Sequence, residues 1–389
     1  MLLNFLVYSF LLFFMVFMGW RISHRYCFYS NSEKVVLYRR KMALMPLSFG
    51  VMFLVYSFFA GYRYDVGVDH LSYLDNYIYG NRWGIEFEFL YQKIIDICKG
   101  AGLNFAMYFF VVAFLQISLY YNAFKREAYI YPFLSFFFLC NGEWGNFNNI
   151  IRCMLAAVIW LNALQFVYKQ QFVYYLLSII VAALFHKSAI ILIVLYPFFR
   201  NSKDYFKSVL SQLIVLVVAL FIRMVFVKYG VYLENVVNLF SSSLGYKSYE
   251  LDSMLQEANR NVEGTGFAYV FKIICNVVII LQSRKIKEFY SFNKRFVIFY
   301  NLFVVGVLFF GYIFPEGIIG LSRPFRYFCL FQNIMFAFYA YYLLKNRTWL
   351  NTTLLIMLLL GFTIIFYYGV LSAKLGNHFF YQFCFDYLR

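Results

Sequence analysis

The chain has 389 residues, 63% of them hydrophobic and only 13% charged, where a soluble globular domain carries about a quarter charged. Its mean hydropathy of +0.68 excludes a soluble globular fold. The formal net charge of +16 does not call for a nucleic-acid partner, because Lys and Arg in cytoplasmic loops orient membrane spans.

From the N-terminus, apolar runs predict about twelve spans. Their positions are 2–20, 42–60, 105–122, 129–141, 152–168, 172–185, 188–199, 208–228, 266–282, 296–314, 325–344 and 349–370. They do not alternate with period two, so helices are expected rather than a barrel. The expected fold is an all-α, polytopic helical integral membrane protein, one domain over residues 1–389. The run Leu2–Trp20 has no basic segment before it and no small-residue cleavage site, and reads as an uncleaved first span. The stretch 172–199 reads as two short helices hinged at Phe185-His186-Lys187-Ser188, since one long helix would leave His186 and Lys187 at mid-bilayer.

The loops fall into two kinds. One is almost purely basic: Arg21, Arg25, Lys34, Arg39, Arg40 and Lys41 after the first run, then Lys125 and Arg126, Lys169, Arg200 with Lys203 and Lys207, a cluster over 284–295, and Lys345 with Arg347. The other holds most of the acids and includes two long segments, 61–104 and 229–265. With twelve crossings the two kinds alternate, so the basic loops are cytoplasmic and both termini lie outside. The expected location is a bacterial cytoplasmic (inner) membrane, with the chemically interesting loops facing out. Cys27, Cys98, Cys140, Cys153, Cys275, Cys329 and Cys384 show no CxxC and no metal-ligand spacing. Cys98 and Cys384 could meet outside the membrane as a disulfide, but buried or free thiols are expected. No nucleotide motif is present, and neither a metal nor a cofactor is expected.

Four outside clusters carry candidate chemistry. Arg63, Asp65, Asp69 and Tyr73 follow the second span, and a helix starting near Val68 would align Asp69 with Tyr73 and Tyr77. Glu143 and Arg152 flank a polar loop, with Arg152 at the mouth of an apolar helix, where an unpaired charge is costly. His186 sits at the break between two short helices. Glu316, Arg323 and Arg326 surround a Pro- and Gly-broken helix start, and two guanidiniums there form a clamp for pyrophosphate. Each cluster also has a plain reading as a solvated loop or an interfacial, snorkelling cation.

The order Arg63, Gly67-Val-Asp69, Tyr73, then Glu86-Phe-Glu88-Phe-Leu, Arg152-Cys-Met-Leu-Ala, Phe185-His186-Lys-Ser-Ala189 and Ser322-Arg323 with Arg326-Tyr-Phe resembles the EpsG family. These are membrane proteins of exopolysaccharide and capsule loci, related in role to Wzy O-antigen polymerases. The chain departs from the pattern at Pro324 and Phe325, where an unbroken helix is expected. The resemblance implies a membrane glycosyltransferase that polymerises undecaprenyl-pyrophosphate-linked repeat units. It would need no metal or nucleotide, because the donor carries its own leaving group. His186, Asp69, Arg152 and Arg323 would then be catalytic, with Arg63, Asp65, Tyr73, Glu143, Glu316 and Arg326 binding substrate. The lipid-linked glycan, the bilayer and other polysaccharide-export proteins are the expected partners. A lipid-to-acceptor glycan ligase, a membrane acyltransferase and a transporter of a charged lipid or solute are the alternatives. A transporter predicts ionisable groups near mid-bilayer, where only Arg223 and Lys272 come close.

Overall fold

The computed structural model of the protein describes residues 2–30, 35–38, 47–80, 87–229, 232, 239, 266–313, 323–374 and 379–387. Helices dominate. α1 (Leu2–Tyr26) leads through a short hairpin, β1 (Cys27–Ser30) paired antiparallel with β2 (Val35–Tyr38), into α2 (Leu47–Gly61). That strand pair, inside the first basic loop, and an isolated antiparallel bridge between Arg63 and Phe383 are the departures from the all-α expectation among the described residues. The strand pair fits the local sequence, since Cys-Phe-Tyr and Val-Val-Leu-Tyr are runs of β-favouring residues.

Within segment 61–104 the described residues form two amphipathic helices, α3 (His70–Tyr79) and α4 (Phe89–Gly100). α5 (Phe105–Ala123) follows, capped by the Asn104 side chain, which accepts from the Met107 amide. A 3₁₀ turn over Lys125–Ile130 leads to α6 (Tyr131–Cys140), α7 (Glu143–Asn149) and α8 (Ile151–Tyr168). The expected break in 172–199 is present. α9 (Phe172–Ala183) ends before His186, and a 3₁₀ helix over Lys187–Val194 runs on into α10 (Leu195–Phe199).

α11 (Val209–Tyr229) is followed, after 229–265, by α12 (Phe267–Leu281), bent 65° against α13 (Ser283–Phe289). The segment 229–265, with Gly264 and Thr265, lies outside the described residues apart from Tyr229, Tyr232 and Leu239. α14 (Lys294–Leu302) continues as a π-helix over Phe303–Phe310 into α15 (Gly311–Ile313). A 3₁₀ turn over Arg323–Phe328 then leads to α16 (Leu330–Lys345) and α17 (Trp349–Ser372).

Six of these helical stretches are long and apolar enough to cross a bilayer, or seven if the bent pair is one span. Others, including α2, α9 and α11, are apolar but shorter or only partly qualify. Burial separates two kinds of all-round apolar helix. In the stretch Phe325–Lys345, which holds α16, 83% of the apolar window is buried, with α16 packed against α6, α17, α14 and the π-helix, making it the core. In α17 only 28% is buried, and Trp349, Leu360, Ile364 and Tyr368 stand exposed. A helix that is apolar on every side yet exposed needs hydrocarbon around it, so the fold is that of a multi-pass membrane protein.

Candidate active site

The first element of the site is a chain reversal after α2. Asp65 (φ 51°) and Gly67 (φ 90°) both adopt left-handed backbone, and the turn delivers Asp69 to the N-terminus of α3. The Asp69 amide donates to Asn149 Oδ1 at 2.8 Å, which fixes this turn against the end of α7. Tyr73 follows one helical turn later, on the same face.

The second element is a carboxylate. Glu88 takes extended backbone at the N-terminus of α4, and its side chain reaches across to two distant segments. Oε2 accepts from Arg152 Nη1 at 2.5 Å, and Oε1 from His186 Nδ1 at 3.1 Å and from the Lys187 amide at 3.2 Å. The Arg152 guanidinium also lies over the Phe87 ring, 4.5 Å from its centre. Burial alone would raise the Glu88 pKa. The His186 hydrogen bond and the Arg152 charge outweigh it and hold the carboxyl at about 2, so the group is ionised at any ordinary pH. The same contacts set His186. With Nδ1–H donated to a carboxylate, Nε2 is the lone-pair nitrogen of the neutral ring.

The third element is the 3₁₀ turn that carries Arg326. The turn spans Arg323–Phe328, so the backbone around Pro324 and Phe325 is 3₁₀ rather than the unbroken α-helix expected there. Arg326 Nη1 donates to Asn146 Oδ1 at 3.3 Å. Ser188 Oγ and Tyr327 Oη are 2.9 Å apart in the interior, tying the His186 break to this turn. Asp69, Tyr73, Arg152, His186 and Arg326 thereby line one cleft of about 370 Å³, floored by Ile150 and Cys153. The cleft combines two guanidiniums, an imidazole, a carboxylate and a phenol. That set can hold a doubly charged anion and accept a proton beside it.

Residues 47–387 match the model of the EpsG family, most of the chain's length. The chain belongs to the EpsG family. Membership places it in exopolysaccharide synthesis, among glycosyltransferase-like polymerases of the membrane. No curated protein and no solved structure matches it.

The EpsG site differs from the sequence expectation in several places. Arg63 does not reach the cleft. It is buried at the end of α2, where it donates to the Ala60 carbonyl and, at 2.8 Å, to the Asn148 carbonyl, and it faces the Phe109 ring. A cation satisfying the last carbonyls of a helix is a structural role. Glu143 is also turned inward. It begins α7 and accepts from Asn333 Nδ2 at 2.8 Å and Asn146 Nδ2 at 3.4 Å, the same Asn146 whose Oδ1 accepts from Arg326, and it does not itself line the cleft. Asp65 is half-buried in the reversal and does not line the cleft. The Arg323 side chain and all of Glu316 lie outside the described residues. Glu88 was visible only as one of two acids in Glu86-Phe-Glu88. Nothing in the spacing chose between them, because its partners are 64 and 98 residues away in sequence. Cys98 and Cys384 are buried free thiols in the same small apolar cluster.

Proposed function

We propose that this EpsG protein joins undecaprenyl-pyrophosphate-linked oligosaccharide repeats at the outer face of the bacterial inner membrane. In this reading the chain crosses about twelve times and both termini lie outside. The observation that carries the proposal is the cleft itself, where Arg152 and Arg326 sit beside His186 and Asp69. A pyrophosphate leaving group and a sugar hydroxyl need those two kinds of group side by side.

Arg152 and Arg326, helped by Arg323 earlier in the same turn, hold the pyrophosphate of the donor. A hydroxyl oxygen of the incoming lipid-linked unit attacks the anomeric carbon of the donor glycan. The bond from that carbon to the pyrophosphate oxygen breaks, and undecaprenyl pyrophosphate leaves with the electron pair. The guanidiniums stabilise the charge that develops on it. The hydroxyl proton passes to His186 Nε2, with Asp69 orienting the acceptor, and Glu88 steadies the imidazolium that forms. The donor brings its own activated bond, so the step requires no nucleotide and no metal.

A strain lacking the gene should accumulate single lipid-linked repeats, and Arg152→Ala or His186→Ala proteins, inserted at wild-type level, should fail to restore the polymer ladder. Long polymer in the deletion strain would end the proposal and leave a ligase as the better reading.

A further inference from the structure

A second cleft, of about 290 Å³, lies at the opposite end of the bundle. Arg152 and Tyr168 both belong to α8, and the sixteen-residue step between them is a rise of roughly 24 Å. Lys125, Arg126, Asn162, Gln165, Tyr168 and Arg295 contribute its lining. Three of these are cations, and they come from two separated segments, the turn after α5 and the start of α14.

The cleft is built rather than accidental. Arg295 is 7% exposed, and Glu127 and the Ala123 carbonyl hold two of its guanidinium nitrogens at 2.8 and 2.7 Å. Its Nε is buried and has no hydrogen-bond partner among the described residues. Arg126 Nη1 donates to Tyr168 Oη at 2.6 Å, and both guanidiniums stand 5.8 Å from the Tyr168 ring centre. Glu127, the nearby anion, is buried and spent on Arg295 and Asn293. Glu127 feels the Arg126 charge but its hydrogen bonds go to Arg295 and Asn293, and among the described residues no carboxylate forms an ion pair with Lys125 or Arg126 at the level where apolar helices end. Basic pockets between membrane helices at such a level take phosphate headgroups.

We propose that this cleft binds the phosphate of an anionic ligand, with Lys125 and Arg126 supplying charge and Arg295 the inner donor. The bilayer offers that chemistry as an anionic phospholipid headgroup and the aqueous phase offers it as free phosphate. Titration of the full-length protein in detergent with phosphatidylglycerol, phosphatidylcholine or inorganic phosphate, read by native mass spectrometry and thermal shift, separates the sources. Binding of phosphatidylglycerol about tenfold tighter than phosphatidylcholine identifies the lipid. Stabilisation by inorganic phosphate without lipid preference identifies the soluble anion. In either case Lys125→Ala with Arg126→Ala should abolish the effect, while Lys125→Arg with Arg126→Lys, which keeps the charge, should retain it. The Glu127–Arg295 pair is intact in both variants. Equal binding by the alanine variant and the wild type, or no anion preference in the wild type, would overturn the site.

Discussion

Two buried carboxylates anchor arginines at opposite ends of this bundle, and they are held differently. Glu88 binds Arg152, His186 and a backbone amide at the edge of an open cleft. Glu127 binds Arg295 at 2.8 Å and Asn293 at 3.2 Å with its side chain almost fully enclosed. Both sites desolvate the acid. At Glu88 the donors win and the pKa falls to about 2, whereas at Glu127 burial, the largest influence, raises it despite Arg295 and Asn293. The comparison shows that an ion pair does not declare its use. A carboxylate kept charged beside a cleft can hold working cations in place, and one sealed under the aromatic core ties elements together.

The largest test removes each acid. Glu127→Ala leaves Arg295 buried without its charge partner and should cost about 3–5 kcal/mol. Glu88→Ala should cost less, about 2 kcal/mol, because the Arg152 side chain is 20% exposed and can turn to water. Activity should reverse that order. Per inserted molecule, the Glu88 variant should make no ladder and the Glu127 variant a normal one. If both variants polymerise equally well per molecule, the functional difference between the two acids disappears.

Acid sharpens the same contrast. Glu88 has a folded pKa below its unfolded one, so its contribution is fully present above about pH 4.5 and is lost as pH falls toward 2. Glu127 is raised, so its ionised form opposes folding, and acidification relieves that cost. The melting temperature of wild type minus that of Glu88→Gln should shrink from about pH 5 to about pH 2. The corresponding difference for Glu127→Gln should move the other way. Parallel pH curves would show that the two acids are not held differently.

Much of this was legible in the sequence, and the residues that were not share a cause. The break at His186 could be read because a histidine and a lysine interrupt apolar runs, and a bilayer penalises them at mid-depth. Asp69, Tyr73, Arg152, His186 and Arg326 were all named from local pattern, and they line one cleft. Arg63 and Glu143 carry the same residue chemistry but point inward, since a helix terminus and a core asparagine happened to need them. Which way a loop charge turns depends on partners far along the chain. Glu88 was passed over for that reason, and so was the hairpin within the first basic loop.

A smaller effect comes from Gly306 in the π-helix. A Cβ there would clash with the Phe328 side chain, at the end of the turn that carries Arg326. Helices that widen to π geometry often do so beside functional sites. Gly306→Ala should push Phe328 outward, cost about 1–3 kcal/mol and shorten the polymer. Wild-type chain length in a stably inserted Gly306→Ala protein would show that the turn tolerates the shift.

The smallest test uses two equivalent hydroxyl pairs. Ser188 and Tyr327 meet at 2.9 Å near the cleft, and Tyr121 and Ser135 at 2.6 Å near the basic end, both buried. Tyr327→Phe and Tyr121→Phe each remove one hydrogen bond and should each cost about 1 kcal/mol, visible as similar small drops in melting temperature. Only the first loosens the join between the His186 break and the Arg326 turn. Polymerisation rate should therefore fall severalfold in Tyr327→Phe and stay at wild type in Tyr121→Phe. A larger misplacement of groups around a reacting centre would cost far more, so a severalfold loss is what a loosened but still assembled cleft should give. Equal rates in the two variants would mean that the cleft does not depend on this join, and that His186 and Arg326 are positioned independently by Glu88 and Asn146.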